Sequence, residues 1–333
     1  MRGVEACSPS VEEKYCDLCH LSEAVYMRTY SGERLCQRCF VKTFERRVSK
    51  TISRYSMFRY DDRIVVAVSG GKDSLSLMDV LARVESLHPY AELVAVTVDE
   101  GISGYRDEAV GIARVETRGR GLEHFVVSFK DQFGYTLDEM VTVLKERGFE
   151  VYPCTICGVL RRKSLDRAAR EVGANVVATA HTLDDVVQTY LLNIMRGDLT
   201  RPLSGRPEKH LIPRATPFRL TPEKEVAFYA YIRGMYLQTH ACRYASASSR
   251  NLVRSFLSDF DASHPGALFT ALRSLERISL PEKKAARVKC QICGEPSSRG
   301  TCRACEILSA VSGEARTTAS HRNSTSRRTC EAK

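Results

Sequence analysis

The run RIVVAVSGGKDSLSLMDVL, Arg63 to Leu81, constrains this chain more than any other stretch. Ile64 to Val68 is continuously apolar and largely β-branched, the pattern of a strand buried on both faces of a parallel sheet. The turn Ser69-Gly70-Gly71-Lys72-Asp73-Ser74 follows, and Leu75, Leu77, Met78, Leu81 and Val84 then recur at mainly helical spacing. A strand, a glycine turn and a helix N-terminus together aim unpaired backbone N–H groups at whatever sits in the turn, so the stretch predicts an anion site. Two glycines allow φ > 0 and close approach of backbone to ligand, and Lys72 adds a mobile positive charge. The Walker pattern G-x-x-x-x-G-K-[ST] is excluded: it needs four residues between its glycines and a hydroxyl directly after the lysine.

The cysteines carry the next strongest signal. There are 13 in a chain of 333 residues. The first residues lack the apolar core of a signal peptide and no stretch reaches membrane-spanning length, so a cytoplasmic protein with metal or redox chemistry is expected. Cys16 and Cys19, then Cys36 and Cys39, form two CxxC pairs, as do Cys290 with Cys293 and Cys302 with Cys305. Each double pair predicts a closed four-thiolate Zn²⁺ site, structural because it keeps no open position. Gly294 and Gly300 make the shorter C-terminal loop reachable.

Cys154 and Cys157 stand in VYPCTICGVLRRKSLDRAAR, where Pro153 is expected to stop a preceding helix and a new one to follow Gly158. Cys242 is distant in sequence. Three thiolates suit an iron–sulfur cluster with one iron lacking a protein ligand. A redox dithiol at Cys154 and Cys157, or a third zinc with His240, are the alternatives at this point. Cys7 and Cys330, in polar termini, read as incidental.

Leu93 to Val98, His124 to Phe129 and Asn175 to Ala180 read as further strands separated by helical patterns. The alternation predicts an α/β fold, a doubly wound parallel sheet with helices on both faces. Ligands bind beyond the carboxyl ends of such strands, where SGGKDS, Asp99 and the HTLDD segment fall. Asp99 could contact a nucleotide or cap the next segment. His181, Asp184 and Asp185 open a helix, either as caps or as an Mg²⁺-holding or acid/base group.

The SGGKDS loop resembles the SGGxDS pyrophosphate loop of the adenylating PP-loop ATPases. From about residue 10 to 310 the chain resembles the tRNA uridine 2-thiolation enzymes, which span the TtuA type and the cytoplasmic wobble-uridine proteins. The matching pieces are the N-terminal CxxC pairs, SGGKDS, DEGISGYRDEA, CTICGVLRR, AHTLDDVVQTYLLNIMRGD, PEKEVAFYA, the isolated Cys242 and the C-terminal CxxC pairs. The resemblance implies a PP-loop, adenine-nucleotide α-hydrolase-like fold binding ATP through Ser69, Gly70, Gly71, Lys72, Asp73, Ser74, Val98, Asp99 and His181, with Mg²⁺. It implies a [4Fe–4S] cluster on Cys154, Cys157 and Cys242, with these cysteines, Asp185 and Arg161 catalytic. A tRNA substrate, a ubiquitin-like sulfur carrier and a homodimer follow from the same likeness, as does adenylation of uracil O2 before sulfur transfer to C2. Two positions depart from the pattern. TtuA-branch members often carry lysine where this chain has Arg161, which stays protonated and stabilises negative charge. Relatives often carry proline where this chain has Arg243.

The expected organisation is an N-terminal zinc module over 1–50, a catalytic domain over 51–285, a C-terminal zinc module over 286–308 and a disordered basic tail over 309–333. The net charge of +10, clustered in Lys42 to Arg63 and Arg161 to Arg170, suits a polyanionic partner. CGVLRRKSLDR and MRGD sit closer to the wobble-uridine branch than to the T-loop branch. Two rival readings are a zinc-containing RNA-binding protein with a degenerate nucleotide fold and a PP-loop pyrophosphatase acting on a small substrate; the intact loop opposes the first and the terminal CxxC modules the second.

Overall fold

The computed structural model describes residues 14–85, 90–197, 212–245, 250–277 and 288–313. Cys7, Cys330, Asp198 of the MRGD stretch and the tail from 314 onward lie outside the described residues.

Five parallel strands form the central sheet: β3 (Arg63–Ala67), β4 (Glu92–Asp99), β5 (Glu123–Ser128), β6 (Val176–Ala178) and β7 (Arg214–Ala215), in the order β5-β4-β3-β6-β7. The four strands expected from sequence are present within two residues at each end. The two-residue edge strand β7 had no pattern to announce it. Side chains alternate across the sheet as the pleat requires. Ile64, Val66, Ala95, Val176 and Ala178 enter one apolar cluster, and Val65, Val94, Val96 and Val177 enter the other.

The first face is covered by α1 (Gln37–Arg54), α2 (Lys72–Glu85), α3 (Arg106–Arg118) and α8 (Glu223–Ile232). The second is covered by α4 (Phe129–Phe133), α5 (Leu137–Glu146), α6 (Pro153–Glu171) and α11 (Arg303–Ser312). A third, smaller cluster joins α7 (Leu183–Met195) to α9 (Arg250–Ser263) and α10 (Ala267–Arg277).

The terminal cysteine modules each end in a helix that enters the main core. Phe40, Phe44, Val48 and Ile52 recur every four residues along α1 and are buried on the first face. Ala304, Ile307 and Val311 of α11 are buried on the second. Helix α1 therefore crosses the boundary expected at residue 50, and α11 runs to Ser312, so the polar tail starts later than residue 309. Each module also carries a two-stranded antiparallel ribbon: β1 (Tyr26–Arg28) with β2 (Glu33–Leu35), and β8 (Val288–Lys289) with β9 (Pro296–Ser297).

Candidate active site and metal centres

The phosphate loop leaves β3 and enters α2 at Lys72. Ser74 organises it: its hydroxyl accepts from the Ser69 N–H at 3.0 Å and donates to the Gly71 carbonyl at 3.0 Å. The two glycines play different parts. Gly70 has φ +85° and an added Cβ would lie 2.6 Å from the Ala109 carbonyl oxygen, so packing forbids any side chain there. Gly71 has no positive φ and would bring a Cβ no closer than 3.6 Å to the protein, so of the two properties that glycine allows it uses only close approach. Its missing side chain is needed only by something that approaches from outside.

Lys72 is not the mobile charge anticipated. Its Nζ lies 3.0 Å from Asp73 Oδ1 and 2.7 Å from Glu223 Oε1. Burial works against the ammonium, but these two carboxylates overcome it and raise the lysine pKa. The acids around it are crowded. Burial, with Glu223 and Asp185 adding repulsion against the pull of Lys72, raises the Asp73 pKa. Burial and Glu223 push Asp184 to about 6, although its carboxylate accepts the Glu223 backbone N–H at 2.7 Å.

The remaining strand-end residues have local partners. Asp99 Oδ1 accepts from the Gly101 N–H at 2.8 Å, the capping alternative, and the buried Val98 gives its carbonyl to Arg106. Asp185 completes a capping box with Thr182 at the start of α7, and also faces Arg250 at 3.7 Å. His181 is bound through Nδ1 to Thr179 Oγ1 at 2.9 Å. Desolvation in the cleft, with Arg250, Arg214 and Arg162 nearby, outweighs Asp185 and lowers its pKa.

Cys154 and Cys157 lie in the first turn and a half of α6, because Pro153 begins that helix instead of ending the one before. Proline suits the first helical position, where its missing N–H has no partner to lose. The Cys242 segment reaches them: the Cys154 thiol donates to the Tyr244 carbonyl at 3.3 Å, and Cys242 is near enough to oppose ionisation of both other thiols. Burial is the main cause that raises Cys154 and pushes Cys157 to about 11. Arg243, where relatives often have proline, pins this segment by donating to the Ser103 carbonyl at 2.8 Å, and Tyr244 Oη donates to Asp138 at 2.7 Å. His240 turns to Glu108, 2.9 Å away, and joins no group of metal ligands among the described residues.

Arg161 extends from the next turn of α6 and donates to Cys157 Sγ at 2.9 Å, while its Nε pairs with Glu100 Oε1 at 2.6 Å. Glu100 Oε2 lies 2.6 Å from Arg106 Nε, and Arg106 Nη1 donates to the Ser69 carbonyl at 3.0 Å. Both Glu100 and Arg106 are buried. Sequence reasoning did not single out either one, although both stand in the DEGISGYRDEA segment.

The terminal cysteines gather as their spacing required. In each module four Sγ atoms lie within 4.8 Å of one another. Cys19 and Cys36 Sγ are 3.8 Å apart, as are Cys293 and Cys302 Sγ. Tetrahedral Zn²⁺ with bonds of about 2.3 Å places its sulfurs about 3.8 Å apart. Cys36 and Cys302 stand at the N-caps of α1 and α11, and Cys39 and Cys305 in their first turns. Cys154, Cys157 and Cys242 form no such tight group. A cubane cluster presents a separate iron to each cysteine, so its thiols need not converge on one point.

A parallel sheet carrying an open glycine loop at its carboxyl edge, matched to the PP-loop domain over residues 41–259, defines a PP-loop nucleotide-binding protein. Cytoplasmic tRNA 2-thiolation protein 1 of Chlamydomonas reinhardtii is 36% identical over 306 residues, 89% of this chain and 84% of that protein. The protein of the same name from Saccharomyces cerevisiae strain ATCC 204508 / S288c is 35% identical over 314 residues, 88% of this chain and 85% of that one. Among solved structures, the U34-tRNA thiolase NcsA from Methanococcus maripaludis with its [4Fe–4S] cluster superposes with a TM-score of 0.76 at 30% identity, covering 90% of this chain and 96% of that chain. The chain belongs to the tRNA 2-thiolation family of PP-loop enzymes. The relatives carry "cytoplasmic" in their names, and no helix among the described residues is long and apolar enough to cross a membrane.

Proposed function

We propose that this chain is a cytoplasmic tRNA sulfurtransferase that activates a uridine with ATP and replaces its O2 by sulfur. The observation that carries the reading is the meeting of two sites at one sheet edge: an intact phosphate loop, and a thiol group joined to it through Arg161, Glu100 and Arg106.

In the first step uracil O2 attacks the α-phosphorus of ATP and pyrophosphate leaves. The N–H groups at the start of α2 and Lys72 hold the β- and γ-phosphates, and Gly71 leaves room for them. Phosphates arriving at Lys72 compete with Asp73 and Glu223 for its charge. The crowded Asp73, Asp184, Asp185 and Glu223 fit a divalent cation: burial and neighbouring carboxylates raise the proton affinities of Asp73 and Asp184, which marks uncompensated negative charge there. Mg²⁺ bound there would neutralise charge on the phosphates. Neutral His181 and the adjacent Asp185 would orient the base.

In the second step sulfur attacks C2 and AMP departs. Cys154, Cys157 and Cys242 fit a [4Fe–4S] group, since the donor set is three thiols brought together from two segments. That group would supply an open iron able to hold sulfide. Arg161 offers a permanent positive charge beside it. The sulfur donor is a ubiquitin-like thiocarboxylate carrier and a second copy of the chain completes the enzyme, both on the family resemblance. The terminal thiol groups hold Zn²⁺ structurally. Lys42, Arg46 and Lys50 form an exposed basic stripe on α1, opposite its buried Phe40, Phe44 and Val48, and serve as the tRNA platform. Wobble uridine is the favoured target.

The test is mass spectrometry of nucleosides from defined tRNA fragments after anaerobic reaction with ATP and a sulfur source. The expected product is 2-thiouridine at the wobble position, with pyrophosphate released. Gly71→Val should abolish nucleotide binding while tRNA binding survives, because the new side chain fills only the ligand's space. Unchanged ATP affinity in that variant removes the phosphate-loop reading.

A further inference from the structure

Between the phosphate loop and the thiol site runs an unbroken line of charged contacts. It starts at the Ser69 carbonyl and passes through Arg106, both oxygens of Glu100 and Arg161 to Cys157. We propose that Glu100 and Arg106 are positioning residues that report occupancy of the phosphate loop to Arg161, and so set how Arg161 is presented to Cys157. The inference rests on the phosphate-loop reading and adds to it a coupling between the two steps.

Three features support it. First, Glu100 spends each carboxylate oxygen on a different guanidinium, so neither arginine can shift without disturbing the other's partner. Second, the buried end is fixed. Glu100 and Arg106 are 2% and 4% exposed, Arg106 also donates to the Val98 carbonyl, and the Glu100 carbonyl accepts from the Leu137 N–H at 2.8 Å. Buried charges of this kind are held in one geometry because leaving either without its partner strongly destabilises the fold. Third, the far end is free to respond: the Arg161 side chain is 48% exposed. Anionic phosphates on the loop amides displace the Ser69 segment or compete for Arg106, and the only exit for that change along the line is Arg161. The order of chemistry supplies a use, since sulfur should be presented only when the base can be activated.

Coupling of this kind is a free energy that must appear at both ends. The test is peptide-resolved mass spectrometry of Cys157 alkylation in the full-length, iron-free, reduced chain, with and without a non-hydrolysable ATP analogue and Mg²⁺. Nucleotide binding is measured separately by calorimetry. In the native chain, nucleotide should change the Cys157 alkylation rate by about fivefold or more, the lower end of ordinary coupling. Glu100→Gln should still bind nucleotide and lose that response. Because it leaves the buried Arg106 beside a neutral amide, the double variant E100Q/R106Q, which removes both buried charges, is prepared alongside and should also be unresponsive. A native chain that binds nucleotide with its Cys157 rate unchanged overturns the inference, as does a folded variant that keeps the full response. A native chain that binds no nucleotide is a different failure, that of the phosphate-loop reading.

Discussion

The two four-thiol modules share a ligand set and a helix-cap geometry, yet they are fastened to the sheet in opposite ways. On the N-terminal side the anchor is a carboxylate of the catalytic core: Glu225 of α8, whose side chain is 1% exposed, takes Arg47 at 2.7 Å, Arg28 at 3.2 Å and the Tyr30 hydroxyl at 2.6 Å from the module and α1. On the C-terminal side the carboxylate belongs to the module. Glu295, 26% exposed, takes Lys163 at 2.6 Å, Arg170 at 3.1 Å and Arg167 at 3.3 Å, all from α6. Helix α1 adds Phe40, Phe44, Val48 and Ile52 to the first face, where α11 adds Ala304, Ile307 and Val311, with no aromatic ring, to the second. The N-terminal module is thus part of the core, and the C-terminal module is a latch on the helix that carries Cys154, Cys157 and Arg161. The same four-cysteine arrangement is put to two uses: making a fold and bracing a helix.

The largest expected effect breaks one metal site at a time. Cys36→Ser should lower the melting temperature by more than about 10 °C or prevent soluble expression, because structural zinc contributes folding energy outright and α1 begins at that residue. Cys302→Ser should leave a folded sheet with a smaller loss, about half as large, and should instead loosen α6. Circular dichroism melts of both variants decide it; equal losses would end the distinction between core and latch.

Next come the carboxylates. Glu225→Ala takes from Arg47 its carboxylate partner and leaves the buried Arg28 only the Glu33 carboxylate, and should cost about 3–5 kcal/mol in urea unfolding. Glu295→Ala removes charge-assisted bonds at a wetter site and should cost about 1–2 kcal/mol. Lys163 raises the second figure above that of a surface pair, since its side chain is only 6% exposed and also reaches Cys293 Sγ at 3.2 Å. If the C-terminal carboxylate proves the more expensive to lose, the assignment of roles is reversed.

How much of this was legible in the sequence depended on the range of the cause. The strands around SGGKDS, the sheet class and the gathering of the terminal cysteines are set by neighbours within a few residues or by the spacing of the CxxC pairs, and they read directly. Pro153 misled because proline both follows helix ends and opens helices, and only the packing of α6 on the second face selects the latter. The difference between Gly70 and Gly71 depends on the approach of Ala109, a contact thirty-odd residues away in the chain. Lys72 read as a free cation because Glu223, its partner, belongs to a helix on the far side of β6 and β7 in chain order. The line from Ser69 to Cys157 was invisible for the same reason: the links that join its parts, Arg106 to Ser69 and Arg161 to Glu100, are long-range contacts, and Glu100 and Arg106 look in sequence like ordinary charged residues of a loop and a helix start.

The finest difference between the modules lies in one backbone angle. The residue after the second cysteine of each leading CxxC pair takes a left-handed conformation: His20 at φ +56° and Gly294 at φ +71°. Each closes its knuckle by donating its N–H to the first cysteine's carbonyl, at 2.9 Å for His20 and 2.8 Å for Gly294. A side chain in that region costs about 1–2 kcal/mol, while glycine loses about 0.4–1 kcal/mol through its freer unfolded state. The two nearly offset, so His20→Gly should stabilise the chain by less than about 1 kcal/mol. Gly294→Ala should destabilise it by a similar amount, for the backbone angle alone, since no atom lies within 4 Å of the added Cβ. Chemical denaturation with zinc held in excess measures both. Should His20→Gly instead destabilise by several kcal/mol, the histidine ring is contributing contacts that the C-terminal knuckle lacks, and the two knuckles are alike in angle but not in what holds them.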